Sequence, residues 1–467
     1  MFETVIDAIN TFLYSNLLIV ILIGSGIYFT IRARFPQVRL LKNACSAVME
    51  KPEGAESVSS FQALMVSTAS RVGTGNIVGV SSAICIGGVG SVFWMWVIAI
   101  IGSASALAES TLAQIYKKKG EDGECYGGPA YYIEAALHSR GLAVAFCIAM
   151  ILTYAFGFNM LASYNLQSTF AGMSFYNAEV TPWIIGGVLA LVTGWCLLGG
   201  GHRIVKVTST LVPFMGVVYI LVSLLIVILN IGQLPAVLAQ IFKEAFNFKA
   251  IFAGFAGSAM MQGIRRGLYS NEAGIGSAPN AAASAVVSHP VKQGLVQMLS
   301  VFIDTLLLCT ATAMMCLVSG VAPVKELQGA PWVQAALHKT MGFFGPYFIM
   351  IAMVLFAFTT LLGNCFYCDN LLTYIHKKQP GKKFMAGFRI VSALAVFLGA
   401  GMEMTLLWHI SDVLMGVMAL INIPVILILS NIVLKALKDY ETQVREKKNP
   451  VFYRKNIDLK QKTDYWN

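Results

Sequence analysis

Charge is scarce in this chain. Asp, Glu, Lys and Arg make up 12% of its 467 residues, against 57% hydrophobic, and mean hydropathy is +0.70. A soluble globular domain carries about a quarter charged residues, so that class is excluded. Long polar stretches are also missing between the apolar runs, which excludes an inserted soluble domain. No basic n-region precedes the first apolar run, Tyr14 to Ile31, and Arg32 and Arg34 follow it. It is too long for a cleaved signal and reads as a retained helix. The nine cysteines lie mostly within apolar runs, with no paired framework outside them. Cys365 and Cys368 form a C-x-x-C, but no second pair or histidine cluster accompanies them, so they read as packing rather than a metal site. No Ser-His or Asp-Asp constellation is present, and His409 stands near the outer end of the last run, which argues against a membrane-embedded enzyme.

What the chain has is apolar runs of roughly 20 residues, the length that crosses about 30 Å of hydrocarbon. Eleven are predicted: 10–31, 60–86, 91–116, 141–171, 181–199, 206–230, 248–275, 292–319, 343–375, 385–402 and 406–436. The partner these runs imply is the lipid bilayer. The net charge of +10 is not a nucleic-acid signal, because the basic residues are placed asymmetrically. Arg32, Arg34, Arg39, Lys42 and Lys51 follow span 1, Lys117 to Lys119 follow span 3, and Lys377, Lys378, Lys382 and Lys383 follow span 9. The positive-inside rule then sets the N-terminus outside and the tail, 439–467, in the cytoplasm of a bacterial or archaeal cell.

Polar groups inside a membrane span are expensive and mark function. Span 2 holds the densest set: Ser67, Thr68, Ser70, Arg71, Gly73, Thr74, Gly75 and Asn76. Two alternate glycines beside a charge predict a broken helix, whose freed amides bind an anion and whose freed carbonyls bind a cation. Span 7 gives a second predicted break at Gly254, Gly257, Ser258, Gln262 and Gly263, with Arg265 and Arg266 snorkelling toward the cytosolic end. Two breaks five spans apart, in spans of opposite direction, predict a five-plus-five inverted repeat with the substrate between them. Span 9 adds the adjacent hydroxyls Thr359 and Thr360, hard ligands for a small cation, and Asn364 one turn on. Asp304 sits deep in span 8, and Asn159 of span 4 lines the cavity. Glu109 of span 3 reads as a partner for a base at the cytosolic side.

The runs VGTGNIVGV, GGPAYYIE (Gly127 to Glu134), SNEAGIGSAP (Ser270 to Pro279) and NPVFYR resemble the alanine or glycine:cation symporter family over essentially the whole chain. The resemblance implies an all-α integral membrane protein of the leucine-transporter fold, preceded by one extra helix. It also implies uptake of a small neutral amino acid driven by inward sodium flow. Gly73, Thr74 and Gly75 would hold the substrate carboxylate by their amides, with Asn76 in support, and Ser258, Gln262 and Gly263 would face the rest of the substrate. Thr359 and Thr360, with the carbonyls of Ala69 and Val72, match the sodium site shared across the fold. Asn364 stands in GNCFYCD where many alanine-transporting members have Trp, which favours a larger substrate such as glutamine. Arg71 is the other departure. It is expected to form a charge pair with Asp304 and to stand in for a second sodium.

The resulting division is an extra helix and connector (1–50), two five-helix repeats (51–230 and 231–438) and the tail, in a monomer. A proton-coupled or uncoupled exchanger is the alternative within transport, and an enzyme the remote one. A channel would show rings of charge or a carbonyl filter, and no paired breaks.

Overall fold

A computed structural model describes residues 2–50, 58–120, 123–247, 257–461 and 463–466. The helices of the bundle are α1 (Thr4–Arg32), α2 (Ser60–Arg71), α3 (Val78–Gly87), α4 (Ser91–Ile115), α5 (Arg140–Ser168), α6 (Thr181–Leu197), α7 (Gly200–Leu229), α8 (Ala259–Asn271), α9 (Pro279–Ser284), α10 (Pro290–Leu317), α11 (Phe344–His376), α12 (Lys382–Ala400) and α13 (Met404–Ile428). Among the described residues, eight of these are long and apolar enough to cross a membrane. The short pairs α2/α3 and α8/α9 are the two interrupted helices.

Local chemistry sets the ends of those short helices. Ser59 caps α2 by accepting from Gln62 N (3.1 Å), while Gln62 Oε1 accepts from Ser59 N (2.9 Å). This reciprocal cap is worth about 1 kcal/mol. Ser258 caps α8 one-sidedly, its Oγ accepting from Met261 N (3.2 Å). Pro279, whose missing N–H costs nothing in a first turn, opens α9. A further helix, α14 (Ser430–Arg445), leads into the tail, which folds back on the bundle. There Phe452 N donates to Ser288 O (2.9 Å), and Trp466 Nε1 donates to Gln114 O (2.7 Å). Lys117 is buried, with its ammonium 3.8 Å from the Tyr465 ring centre. Desolvation pushes Lys117 down to about 8. This end of the bundle is called the basic end below.

The buried core runs through α4, while α7 turns Phe214, Leu221, Leu225 and Ile228 outward as a lipid-facing surface requires. Arg265 and Arg266 correct the expectation of snorkelling. They lie on α8, on the side of the break away from the basic end, and both are buried. Arg266 forms a two-pronged ion pair with Asp412 of α13 (3.2 and 3.0 Å) and lies 3.8 Å from the Trp408 ring centre. Arg265 stacks over Tyr14 at 4.4 Å, and Tyr14 O–H donates to Asp412 O. A guanidinium with a carboxylate and an aromatic face in reach has no need to extend to water.

Truncating one partner of such a pair strands the other charge, at about 3–5 kcal/mol. Arg266→Ala is therefore expected to lower the melting temperature of the detergent-purified protein sharply, and adding Asp412→Asn should recover part of the loss. Equal melting of Arg266→Ala and the unmodified protein would show the pair to be idle.

Candidate functional site

The first break lies where span 2 was predicted to be interrupted. Helix α2 ends at Arg71, Gly73 is extended, and a single tight turn, Thr74–Asn76, precedes α3. Asn76 organises it. Its Oδ1 accepts from Gly73 N (2.8 Å), the amide that a continued helix would have aimed at the Ala69 carbonyl. The turn's own bonds run from Asn76 N to Gly73 O and from Ile77 N to Thr74 O. The amides of Thr74 and Gly75 stay outside that ladder, while Gly73 N is already taken. Thr74 Oγ1 accepts from Asn165 Nδ2 of α5 (3.0 Å).

A second break is present, and among the described residues it lies after Asn271 rather than at Ser258 to Gly263. Gly254 lies outside the described residues, and Ser258, Gln262 and Gly263 belong to the cap and body of α8. The chain leaves the helix at Glu272, which is left-handed (φ 54°), and Gly274 and Gly276 follow at φ 85° and 87°. Gly263 is small for another reason: a Cβ there would strike Ser91 O and Trp94, so it sets how closely α8 packs on α4. Gln262 packs beside Gly87 at the far end of α3. Ten residues of helix separate it from Glu272, about 15 Å. These three residues therefore lie apart from the second break, which runs through Glu272, Gly274 and Gly276 beside Ser270. Its signal was in the sequence, since Gly-x-Gly recurs at 274–276 as at 73–75.

The two breaks meet through side chains. Asn76 Nδ2 donates to Asp304 Oδ1 (2.7 Å), and Ser270 Oγ donates to the same oxygen (3.0 Å). Helix α10 widens to π geometry over Phe302–Cys309, around Asp304, as helices often do at functional positions. Gly75 lies under the Tyr269 ring, which touches Phe158 and Trp408 with ring centres 4.7 and 4.8 Å apart. These aromatics close the side away from the basic end. Toward the basic end, a cavity of about 1150 Å³ is lined by Gln62, Val205, Asn280, Phe366 and Asn370.

Glu109 is no partner for a base. Its two oxygens accept from Gly274 N (3.2 Å), Gly276 N (3.1 Å) and Asn422 Nδ2 (2.8 Å). Asn422 Nδ2 also donates to Gly274 O (2.8 Å), and Tyr132 O–H donates to Asn422 Oδ1. A carboxylate on α4 thus satisfies the amides that the second break sets free.

Arg71 and Asp304 do not pair. Arg71 Nη1 donates to Gln297 Oε1 (3.2 Å) and lies 3.4 Å from Gln297 O, about two turns along α10 from the predicted partner. Its Nε and Nη2 are buried without a protein partner. Asp304 takes its donors from Asn76, Ser270 and Thr305 (2.7 Å). The guanidinium acts at longer range on three buried carboxylates, Glu109, Glu272 and Asp304. Depth in neighbouring spans identified both residues, but their facing is fixed by helix rotation. The ion-replacement argument loses its geometric basis.

The two threonines part company. Thr359 Oγ1 donates to its own helix at Leu355 O (3.0 Å) and faces Met215. Thr360 Oγ1 is buried, has no protein partner and abuts Gly73, where a Cβ would run into it. Asn364 is fully buried and bonded at both ends, to Ser70 Oγ (2.7 Å) and Asn159 Oδ1 (2.9 Å). Asn159 is accordingly held by Asn364 rather than facing open space.

Apolar helices around two interrupted pairs that meet at buried polar groups define a membrane-embedded secondary transporter. Its fold is that of the leucine transporters: it matches MhsT, solved in complex with L-phenylalanine, with a TM-score of 0.56 at 15% identity, over 84% of this chain and 93% of that one. The chain belongs to the sodium:alanine symporter family, which it matches over residues 1–454. It is a sodium-coupled amino acid symporter rather than an enzyme. Similar proteins include the probable sodium/glutamine symporter GlnT of Bacillus subtilis, 43% identical over 97% of this chain and 93% of that one. The putative sodium/proton-dependent alanine carrier protein YrbD of the same organism is 42% identical (99% and 97%). The sodium/alanine symporter AgcS of Methanococcus maripaludis is 37% identical (96% and 99%).

The position of the second break is testable by adding single methyl groups. At Gly276 an alanine meets a positive φ and sits 2.8 Å from both Phe146 and Pro129. Gly276→Ala is expected to abolish sodium-driven uptake. At Gly257 a Cβ meets nothing within 4 Å among the described residues, and Gly257→Ala should transport at close to the unmodified rate. The reverse pattern would restore the break to the start of α8.

Proposed function

We propose that the chain carries a small neutral amino acid inward with sodium, between the breaks at Val72–Asn76 and Glu272–Ala278. The free amides of Thr74 and Gly75 receive the substrate carboxylate, as interrupted helices do in this class of transporter. Gly75 and Tyr269 bound the space beside it. Sodium lies against Thr360 Oγ1 and the carbonyls of Ala69 and Val72. The observation that carries this reading is the orphaned Thr360 hydroxyl beside Gly73, a buried oxygen with no protein donor or acceptor. Hard oxygen ligands of this kind suit a small hard cation.

The basic end faces the cytoplasm, by the positive-inside rule, so the N-terminus is outside and the wide cavity opens inward. The chain works as a monomer in the plasma membrane, with repeats at 51–230 and 231–438. Alanine or glycine is the expected substrate. Glutamine is favoured by the GlnT-named relative and by the room that Asn364 leaves in place of a large indole. Because both ends of the Asn364 amide are bonded within the protein, its effect is through volume rather than a direct bond to the substrate.

Two measurements in proteoliposomes test the assignments. Thr360→Val should raise the sodium concentration for half-maximal uptake at least tenfold, a loss of about 1.4 kcal/mol, with substrate affinity at saturating sodium little changed. An unaltered sodium dependence removes Thr360 from the site. Across alanine, glycine, serine and glutamine, Asn364→Trp should suppress glutamine selectively, and a uniform loss would show that the position sets no size limit.

A further inference from the structure

Ser70 carries one hydroxyl proton and faces two acceptors. Its Oγ lies 2.7 Å from Asn364 Oδ1 and 2.9 Å from Glu272 Oε1. The orientation of Asn364 is fixed by its neighbours. Its Nδ2 donates to Asn159 Oδ1 (2.9 Å), and Asn159 Nδ2 in turn points at Ala155 O (3.4 Å) and Cys365 Sγ (3.8 Å). Turning both amides over would aim Asn159 Oδ1 at a carbonyl, acceptor against acceptor. The oxygen of Asn364 therefore faces Ser70, and an amide oxygen has no proton to give. The Ser70 proton belongs to Asn364. The contact between Ser70 Oγ and Glu272 Oε1 is then two oxygens at hydrogen-bond distance, which needs a second proton.

The geometry points to Glu272 as a proton-carrying residue, protonated in this conformation, whose titration is tied to the placement of Asn364 through the Ser70 hydroxyl. On its other oxygen, Glu272 accepts from Ser277 Oγ (2.7 Å). The remaining buried acids are served differently: Glu109 has three N–H donors, and Asp304 has Asn76, Ser270 and Thr305. In both, every contact named comes from a group that has a proton to give. The charged and titratable groups facing Glu272 are Arg71 next to α2's end, Tyr154 of α5 and Tyr367 of α11, with Tyr269 on its own helix. Glu272 is also the left-handed residue at which α8 ends, so the proton sits on the hinge of the second break. Loss of that proton calls the Ser70 hydroxyl over to the carboxylate. Asn364 Oδ1 then faces a bare oxygen, and its amide is freed from the position seen here. Proton binding and the shape of the substrate site share one hydrogen atom.

This inference rests on the transport reading, and the test separates the two. Sodium-driven uptake of labelled alanine into proteoliposomes, with pH clamped equally on both sides, is expected to follow a single-proton titration in the unmodified protein. Glu272→Gln keeps an N–H for Ser70 and an oxygen for Ser277, and its uptake is expected to lose that titration, whatever its rate. An unchanged pH profile in Glu272→Gln overturns the proposal and leaves sodium-coupled transport standing. Absence of sodium-driven uptake of any amino acid by the unmodified protein overturns the transport reading instead. If Glu272→Gln is inactive, infrared spectroscopy of the purified proteins decides. The unmodified protein should show the carbonyl band of a protonated carboxyl group that Glu272→Gln lacks, and an identical spectrum in that region, or no such band, overturns the proposal.

Discussion

An interrupted helix inside a membrane leaves amides and carbonyls with no water to bond, and everything at the centre of this protein answers that constraint. The first break is answered from within: Asn76 reaches back to Gly73 N and across to Asp304. The second is answered from outside, by Glu109 and Asn422 on two other helices. In the proposed transport cycle, the groups left over are those a solute and an ion complete.

Charge is handled on the same plan. Arg71 is a single buried cation amid Glu109, Glu272 and Asp304, bonded to a neutral glutamine rather than locked to any one acid. A guanidinium shared in this way holds its charge fixed while the carboxylates around it exchange donors. Arg266 shows the opposite arrangement, with both prongs committed to Asp412 and a ring beneath. One arginine closes a packing surface, and the other keeps a field over a site that has to change.

The likeness to a phenylalanine-bound transporter at 15% identity indicates how little side-chain detail the scaffold demands. In this chain the tail is also part of the scaffold. Trp466, Phe452 and Tyr465 pack on the ends of α4 and α10, so the last residues steady helices that carry the site.

Sequence by itself determined that the chain is a bundle of membrane-crossing helices, because crossing hydrocarbon is a matter of local length and hydropathy; eleven spans were expected, and eight helices among the described residues are long and apolar enough to cross. It also determined the first break, where two glycines, a charge and an asparagine crowd one run, and the family, through SNEAGIGSAP. Tertiary structure decided the rest. Gly263 and Gly276 look alike in the sequence, yet one admits a neighbouring helix and the other takes a positive φ. Thr359 and Thr360 are adjacent, but helical rotation turns one to its own backbone and the other to the break. Arg71 and Asp304 are equally deep in their spans and still take different partners. Depth in a membrane is written along the chain. Direction around a helix axis is set only when the other helices are in place.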